Sequence, residues 1–209
     1  MSGGAARVQR AYIDGVRRAA ANSVDGLART RISPNALTAM GVSLCILASV
    51  VVYFEYRNEI LFFWLGAALF IVGSILDILD GALARHSNRA TTFGAFVDST
   101  TDRLGEAFML GAIALVFMRD GEEFALAAAF AALTASFLVS YTRARAEALG
   151  LRGDVGIGSR AERVVVISAG LILAPWGVLP WAIYLLNVTA WTTVVQRVLS
   201  VRKQLRDST

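Results

Sequence analysis

The chain has 209 residues, 56% of them hydrophobic and only 17% charged, with a net charge of +4, a pI near 9.7 and a mean hydropathy of +0.58. That balance excludes an ordinary soluble globular domain and marks an integral membrane protein. The lone cysteine, Cys45, excludes a disulfide framework or a thiolate metal cluster within one chain.

Residues 1-33 read as a cytoplasmic N-terminal segment. Val8, Tyr12, Val16, Ala20 and Val24 recur every four residues, with Arg7, Arg10, Arg17 and Arg18 among the intervening positions. This pattern predicts an amphipathic helix lying in the headgroup plane. The segment has no uninterrupted apolar core of the kind a secretory signal needs, so none is expected. Ser33, Pro34 and Asn35 then offer a capping side chain and a helix-compatible proline at the entry to the first span.

Residues 34-209 read as one all-α domain with six transmembrane helices. Apolar stretches run from about Leu37 to Tyr56, Ile60 to Leu79, Phe93 to Met118, Phe124 to Tyr141, Val164 to Trp176 and Trp181 to Val198. Most approach the roughly 20 residues that cross a bilayer. The first two are joined by a very short link at Arg57, Asn58 and Glu59, which predicts an antiparallel hairpin. Tyr53, Phe54, Tyr56 and Trp64 at its tip, like Trp176 and Trp181 later, suit an aromatic belt at the water interface. Small residues along the fourth stretch, including Ala129, Ala132 and Ala135, permit close helix approach. The polar insertion from Thr142 to Glu162, with Gly150, Gly153, Gly156 and Gly158, reads as flexible and turn-rich.

Orientation follows from the cations. Of 20 Lys and Arg, only Arg57 and Arg119 fall on the face opposite the N-terminus. The positive-inside bias puts both termini in the cytoplasm of a multi-pass protein of the cell (inner) membrane. It also accounts for the high pI without nucleic acid, leaving the bilayer and its anionic headgroups as the partner of the basic face.

Against this apolar background stands a run of the form D-x-x-D-G-x-x-A-R-x8-G-x-x-x-D-x-x-x-D: Asp77, Asp80, Gly81, Ala84, Arg85, Gly94, Asp98 and Asp102. Ionisable groups at a membrane boundary are costly unless something compensates them. Spacings of three and four put Asp77 with Asp80, and Asp98 with Asp102, on single helix faces. The first pair closes the second span and the second opens the third, so an antiparallel return lets all four face one cytoplasmic-side cleft. Oxygen-only ligands of full charge suit hard cations such as Mg²⁺ or Mn²⁺. Two divalent ions would cancel the four carboxylates, and a pair roughly 4 Å apart clamps a reacting phosphate. Gly81 and Gly94 clear space beside the metals, and Arg85 offers a planar fork for a diphosphate oxygen.

This string resembles, position for position, the signature of the CDP-alcohol phosphotransferase family, whose members are similar in size and have six membrane helices. The resemblance implies attack of an alcohol on the β-phosphate of a CDP-linked lipid, with release of CMP. It implies that Asp77, Asp80, Asp98 and Asp102 hold two Mg²⁺ per site, with Mn²⁺ as a substitute, and that Asp102 is also the catalytic base. Pro34, Asn35, Asp77, Asp80, Gly81, Ala84, Arg85 and Gly94 would bind the nucleotide. A homodimer is also implied.

The second half resembles actinobacterial phosphatidylinositol phosphate synthases. The carrying segments are Ser140-Tyr141-Thr142-Arg143-Ala144-Arg145-Ala146-Glu147, Gly150-Leu151-Arg152-Gly153-Asp154, Arg160-Ala161-Glu162-Arg163 and Gln196-Arg197. This implies CDP-diacylglycerol as donor and inositol 1-phosphate as acceptor, its phosphate held by Arg143, Arg160 and Arg197. A dianion held beside carboxylates and a diphosphate needs such a cluster. The alternatives are the same transfer to glycerol 3-phosphate or another polar alcohol, and, in another class, a cation transporter or channel with an aspartate-lined site. A membrane prenyltransferase shares the aspartate chemistry but not this signature.

Overall fold

The computed structural model describes residues 33–86 and 91–207, and over these the chain is helical with no strand. The helices are α1 (Pro34–Tyr53), α2 (Glu59–His86), α3 (Thr92–Arg119), α4 (Glu123–Ala148), α5 (Arg160–Ile172) and α6 (Leu179–Asp207), with short 3₁₀ turns at Glu55–Arg57 and Ala174–Trp176. Each predicted apolar stretch falls on one of them. The amphipathic helix expected in 1-33 lies outside the described residues, as do the side chains of Arg85 and His86.

By length and composition α1, α2 and α4 qualify as membrane-crossing helices. At 28 and 29 residues, α3 and α6 are as long, about 42 Å, but carry more charge, whereas α5 has 13 residues and a rise of about 20 Å. The protein is a helical membrane protein, and its apolar outward side chains face lipid rather than water.

Local signals set the helix starts. Ser33 accepts a hydrogen bond from the Ala36 amide at 3.2 Å, with Pro34 at the first helical position, as the sequence anticipates. Thr91 caps α3 by accepting from the Gly94 amide at 2.9 Å. Ser159 and Glu162 form a capping box at α5, with the Ser159 amide 2.6 Å from the Glu162 carboxylate.

The helix order in space differs from the order in sequence: α1 packs along both α2 and α3 and separates them over most of their length. Glycines permit this. A Cβ on Gly41 would lie 2.9 Å from the Gly73 carbonyl oxygen, and one on Gly73 2.8 Å from that of Gly41, so α1 and α2 touch backbone to backbone. Cys45 is buried against Gly73 and Gly105, a packing role joining all three helices. On the other side α4 packs on α3 and α6, while α5 packs on α6 and α2. The alanines of α4 are used inside the bundle: Ala129, Ala132 and Ala135 are buried, and Asn187 of α6 donates to the Ala128 carbonyl at 2.8 Å.

One end of the bundle is aromatic. Arg119 meets Glu55 at 2.9 Å and stands over the rings of Tyr53 and Tyr56, and the Trp64 indole donates to the Ile172 carbonyl at 3.0 Å and packs beside Trp176. The aspartates sit at the other end, where α2 finishes and α3 begins.

Candidate active site

The last turns of α2 carry Asp77 and Asp80, and the first turns of α3 carry Asp98 and Asp102. Carboxylate oxygens of Asp77, Asp98 and Asp102 lie within 4.8 Å of one another, so three of the four predicted aspartates converge as a cluster. Asp80 is turned differently. It is 2% exposed, one of its oxygens accepts the hydroxyl of Thr38 on α1, and the other, Oδ1, is buried with no hydrogen-bond partner. Thr38 also lies 3.1 Å from the Pro34 carbonyl, which ties the cap of α1 to the aspartates.

The cluster has the character of a cation site. Arg160 of α5 reaches in with Nη1, which contacts Asp77 and lies 2.6 Å from Asp102 Oδ1. That oxygen is buried and has no aligned hydrogen bond, so the guanidinium supplies charge there without satisfying the lone pair. A positive group already stands among the carboxylates, and two buried oxygens, on Asp80 and Asp102, lack donors. All-oxygen carboxylate donors of this kind fit a divalent cation.

Two cavities flank the cluster. The first, of about 120 Å³, is lined by Pro34, Asn35, Thr38, Asp80, Gly81, Ala84, Thr91, Gly94, Ala95 and Asp98. It gathers the N-terminus of α1, the end of α2 and the start of α3. A Cβ on Gly94 would crowd this cavity, lying 3.0 Å from the Thr91 hydroxyl and 3.8 Å from Asn35 Oδ1.

The second cavity, of about 210 Å³, is lined by Asp102, Arg103, Glu106, Val139, Ser140, Arg143, Asp154, Gly156, Ser159, Arg160, Arg163 and Arg197. Five arginines against three acids make it basic. Arg143 is exposed and pairs with Glu147 at 2.9 Å. Arg197 is buried on α6, donating to the Val155 carbonyl at 2.8 Å and to that of Val139. Its side chain thereby ties α6 to both α4 and the following loop.

That loop departs from the flexible segment expected of its glycines. The helix runs on to Ala148, and the remainder is pinned at several points. The Arg152 amide donates to Gln204 at 2.9 Å, and Gln204 donates back to the Arg152 carbonyl at 3.0 Å. The Gly158 amide donates to Thr193 at 2.7 Å. A Cβ on Gly153 would lie 2.8 Å from the Arg143 carbonyl, and one on Gly158 2.8 Å from Thr193 Oγ1. Gly153 and Gly158 serve close approach; of the four glycines in this loop Gly150 and Gly156 have positive φ, and Gly156 is also packed against Thr193.

Of the residues singled out in the sequence, Pro34, Asn35, Asp80, Gly81, Ala84, Gly94 and Asp98 share the first cavity. Asp102, Arg143, Arg160 and Arg197 share the second. Asp77 lies behind both, 6% exposed, in contact with Arg160. Sequence reading missed Thr38, Thr91 and Asp154. It gave Arg163 no role beyond its place in the segment Arg160-Ala161-Glu162-Arg163, whereas Arg163 is 3% exposed and bonded to Glu106 through two nitrogens. The S-x-x-E spacing at Ser159 and Glu162 was an available signal that the insertion ends in an ordered helix start.

The chain is similar to known proteins in both sequence and fold. Residues 31–201 match the CDP-alcohol phosphatidyltransferase family. The archaetidylinositol phosphate synthase of Pyrococcus horikoshii is 38% identical over 180 residues, 86% of this chain and 88% of that protein. The phosphatidylinositol phosphate synthase of Mycolicibacterium smegmatis is 36% identical over 182 residues, 83% of this chain and 79% of its own. Among solved structures, that of Mycobacterium tuberculosis phosphatidylinositol phosphate synthase, PgsA1, with CDP-DAG bound superposes with a TM-score of 0.77 at 28% identity, covering 88% of this chain and 94% of that one. The same enzyme in complex with manganese and citrate gives 0.76 at 29% identity, covering 87% and 88%.

Proposed function

The chain belongs to the CDP-alcohol phosphatidyltransferase family, and from that premise we propose that it transfers a phosphatidyl group from CDP-diacylglycerol to inositol 1-phosphate, releasing CMP. The observation that carries the reading is the pair of cavities on either side of one helical turn: Asp98 lines the first and Asp102 the second. A donor diphosphate and an acceptor phosphate seated in them would meet at the carboxylates between. Inositol phosphate appears in the names of both relatives above, whereas their lipid parts differ, so the acceptor rests on more than the diacylglycerol does. The CDP-DAG bound to PgsA1 supports the latter.

In this reading Pro34, Asn35, Gly81, Ala84, Arg85 and Gly94 cradle the cytidine diphosphate, with Asp77 and Asp80 toward its phosphates. Asp77, Asp80, Asp98 and Asp102 would hold two Mg²⁺, with Mn²⁺ as substitute. When bound, such ions neutralise the diphosphate and the departing phosphate of CMP. Arg143, Arg160 and Arg197 receive the acceptor phosphate and orient the polyol. Its hydroxyl oxygen attacks the β-phosphorus, the bond from that phosphorus to the bridging oxygen breaks, and CMP leaves with the electron pair. Asp102 takes the hydroxyl proton. The proposal includes six membrane spans, with 1-33 on the cytoplasmic surface and 34-209 forming the catalytic domain. It places the site and both termini on the cytoplasmic side of the inner membrane, and the assembly as a homodimer.

The test is CMP release from CDP-diacylglycerol with inositol 1-phosphate, free inositol, glycerol 3-phosphate and serine offered in turn. Turnover with inositol 1-phosphate well above the other three is expected. Preference for glycerol 3-phosphate overturns the acceptor assignment while leaving the transfer chemistry standing.

A further inference from the structure

One turn beyond Asp102 on α3, Glu106 is 5% exposed, and Arg163 of α5, 3% exposed, meets it through two parallel contacts. Nε lies 2.6 Å from Oε1 and Nη2 lies 2.8 Å from Oε2. The remaining nitrogen, Nη1, donates to the Gly158 carbonyl at 2.9 Å. All three guanidinium nitrogens are engaged, which holds the side chain in one orientation. As a source of stability such a pair is a poor choice, because desolvating two charges consumes most of what their attraction returns. What a planar, bidentate contact does better than apolar packing is fix distance and orientation together.

The geometry it fixes is that of the site. Asp102 and Glu106 are four residues apart on α3, and Arg160 and Arg163 three apart on α5, so the two helices meet in two successive rungs: Arg160 with Asp102, Arg163 with Glu106. The lower rung also holds the loop, since Gly158 is gripped through its carbonyl by Arg163 and through its amide by Thr193. Arg160 begins α5 two residues later and opens onto the basic cavity.

We propose that Glu106 and Arg163 are positioning residues that set the affinity for the phosphorylated acceptor, by holding the start of α5 where Arg160 spans the gap between Asp102 and the basic cavity. The inference rests on the acceptor reading above and adds to it two residues of the cavity wall that act on the acceptor through the placement of Arg160.

Removing one partner leaves a buried charge alone and risks misfolding, so the main test variant replaces both, Glu106→Leu with Arg163→Met, which keeps bulk and removes both charges. The second is Arg163→Lys, which keeps the charge but cannot span Glu106 and Gly158 together. Both are purified in detergent beside the wild type and assayed for thermal unfolding, Mn²⁺ binding by electron paramagnetic resonance, and CMP release against each substrate. The expected result is a rise of about tenfold or more in KM for inositol 1-phosphate, what losing one charge-assisted contact brings. KM for CDP-diacylglycerol stays within about twofold of wild type, and Mn²⁺ affinity changes less than the acceptor KM, Arg160 also touching Asp77 and Asp102. Wild-type acceptor KM in either folded variant overturns the proposal, as does a loss spread equally over acceptor, donor and metal. A wild-type protein that turns over no inositol 1-phosphate overturns the acceptor reading instead, and this inference falls with it.

Discussion

Thr38→Val tests whether the hydroxyl on α1 is part of the metal and nucleotide site. Thr38 and Asp80 are 5% and 2% exposed, and the hydroxyl is the side-chain donor to Asp80, whose second oxygen is buried without a partner. Valine keeps the shape and removes that donor. A hydrogen bond to a charged group contributes about 1.5–3 kcal/mol, and at 1.4 kcal/mol per decade this corresponds to roughly 10- to 150-fold in an equilibrium constant. If Asp80 must be held ionised and oriented to bind a cation and the donor diphosphate, Mn²⁺ affinity and KM for CDP-diacylglycerol weaken by that range. The acceptor KM, governed by the other cavity, changes little. Titrating free Mn²⁺ by electron paramagnetic resonance and measuring CMP release over a donor concentration series read the two quantities separately. Thr38→Ser, which keeps the hydroxyl, should recover most of the loss. Equal metal and donor binding in Thr38→Val, Thr38→Ser and wild type would refute the reasoning.

Asp102→Asn should lower CMP release by about 10²- to 10⁴-fold, the range for losing a general base, whereas Asp120→Asn at the aromatic end should leave it near normal; similar losses in the two would contradict the site. Gly158→Ala places a Cβ 2.8 Å from Thr193 Oγ1 and 3.0 Å from the Thr189 carbonyl, so the start of α5 must shift by several tenths of an ångström. Displacement on that scale at a reacting geometry costs up to about 10²-fold, and it should fall on kcat/KM for the acceptor, measured at saturating donor. Chelation with EDTA should abolish CMP release and added Mg²⁺ or Mn²⁺ restore it; turnover that survives chelation removes the metals from the mechanism.

What was legible in the sequence is what local spacing controls. Ser33 and Pro34 cap α1 because capping depends on neighbours three residues away. The aspartates pair on their helices because three- and four-residue spacings are fixed by the helix itself. Thr38 was not legible: its partner Asp80 lies 42 positions away, and the contact exists because α1 inserts between α2 and α3 at the Gly41–Gly73 crossing. Glu106 and Arg163, 57 positions apart, depend likewise on how α5 docks against α3. The glycines of the 149–159 loop misled for a different reason. Glycine permits both mobility and close approach, and the partners that decide between them, Thr193 and the Arg143 and Thr189 carbonyls, come from other elements.

The packing below the aspartates also bears on the reading in which they line an ion path. A permeation route needs polar or ionisable groups spaced through the depth of the bundle and room for an ion to pass them. Below Asp102 the next acid on α3 is Glu106, and both of its oxygens are taken by Arg163. Beyond it, Met109, Leu110, Ile113, Val116 and Phe117 are each at most 2% exposed and join Phe63, Phe70, Ile167, Leu171, Ile183 and Leu186 in one apolar core. A cation leaving the carboxylates in that direction would shed its ligands with nothing to replace them, at a cost of several kcal/mol or more. Toward the end of the bundle that carries the aspartates, by contrast, both cavities open within contact of the cluster. The carboxylates therefore have one accessible side, and a site open on one side and sealed on the other binds and transforms what arrives there.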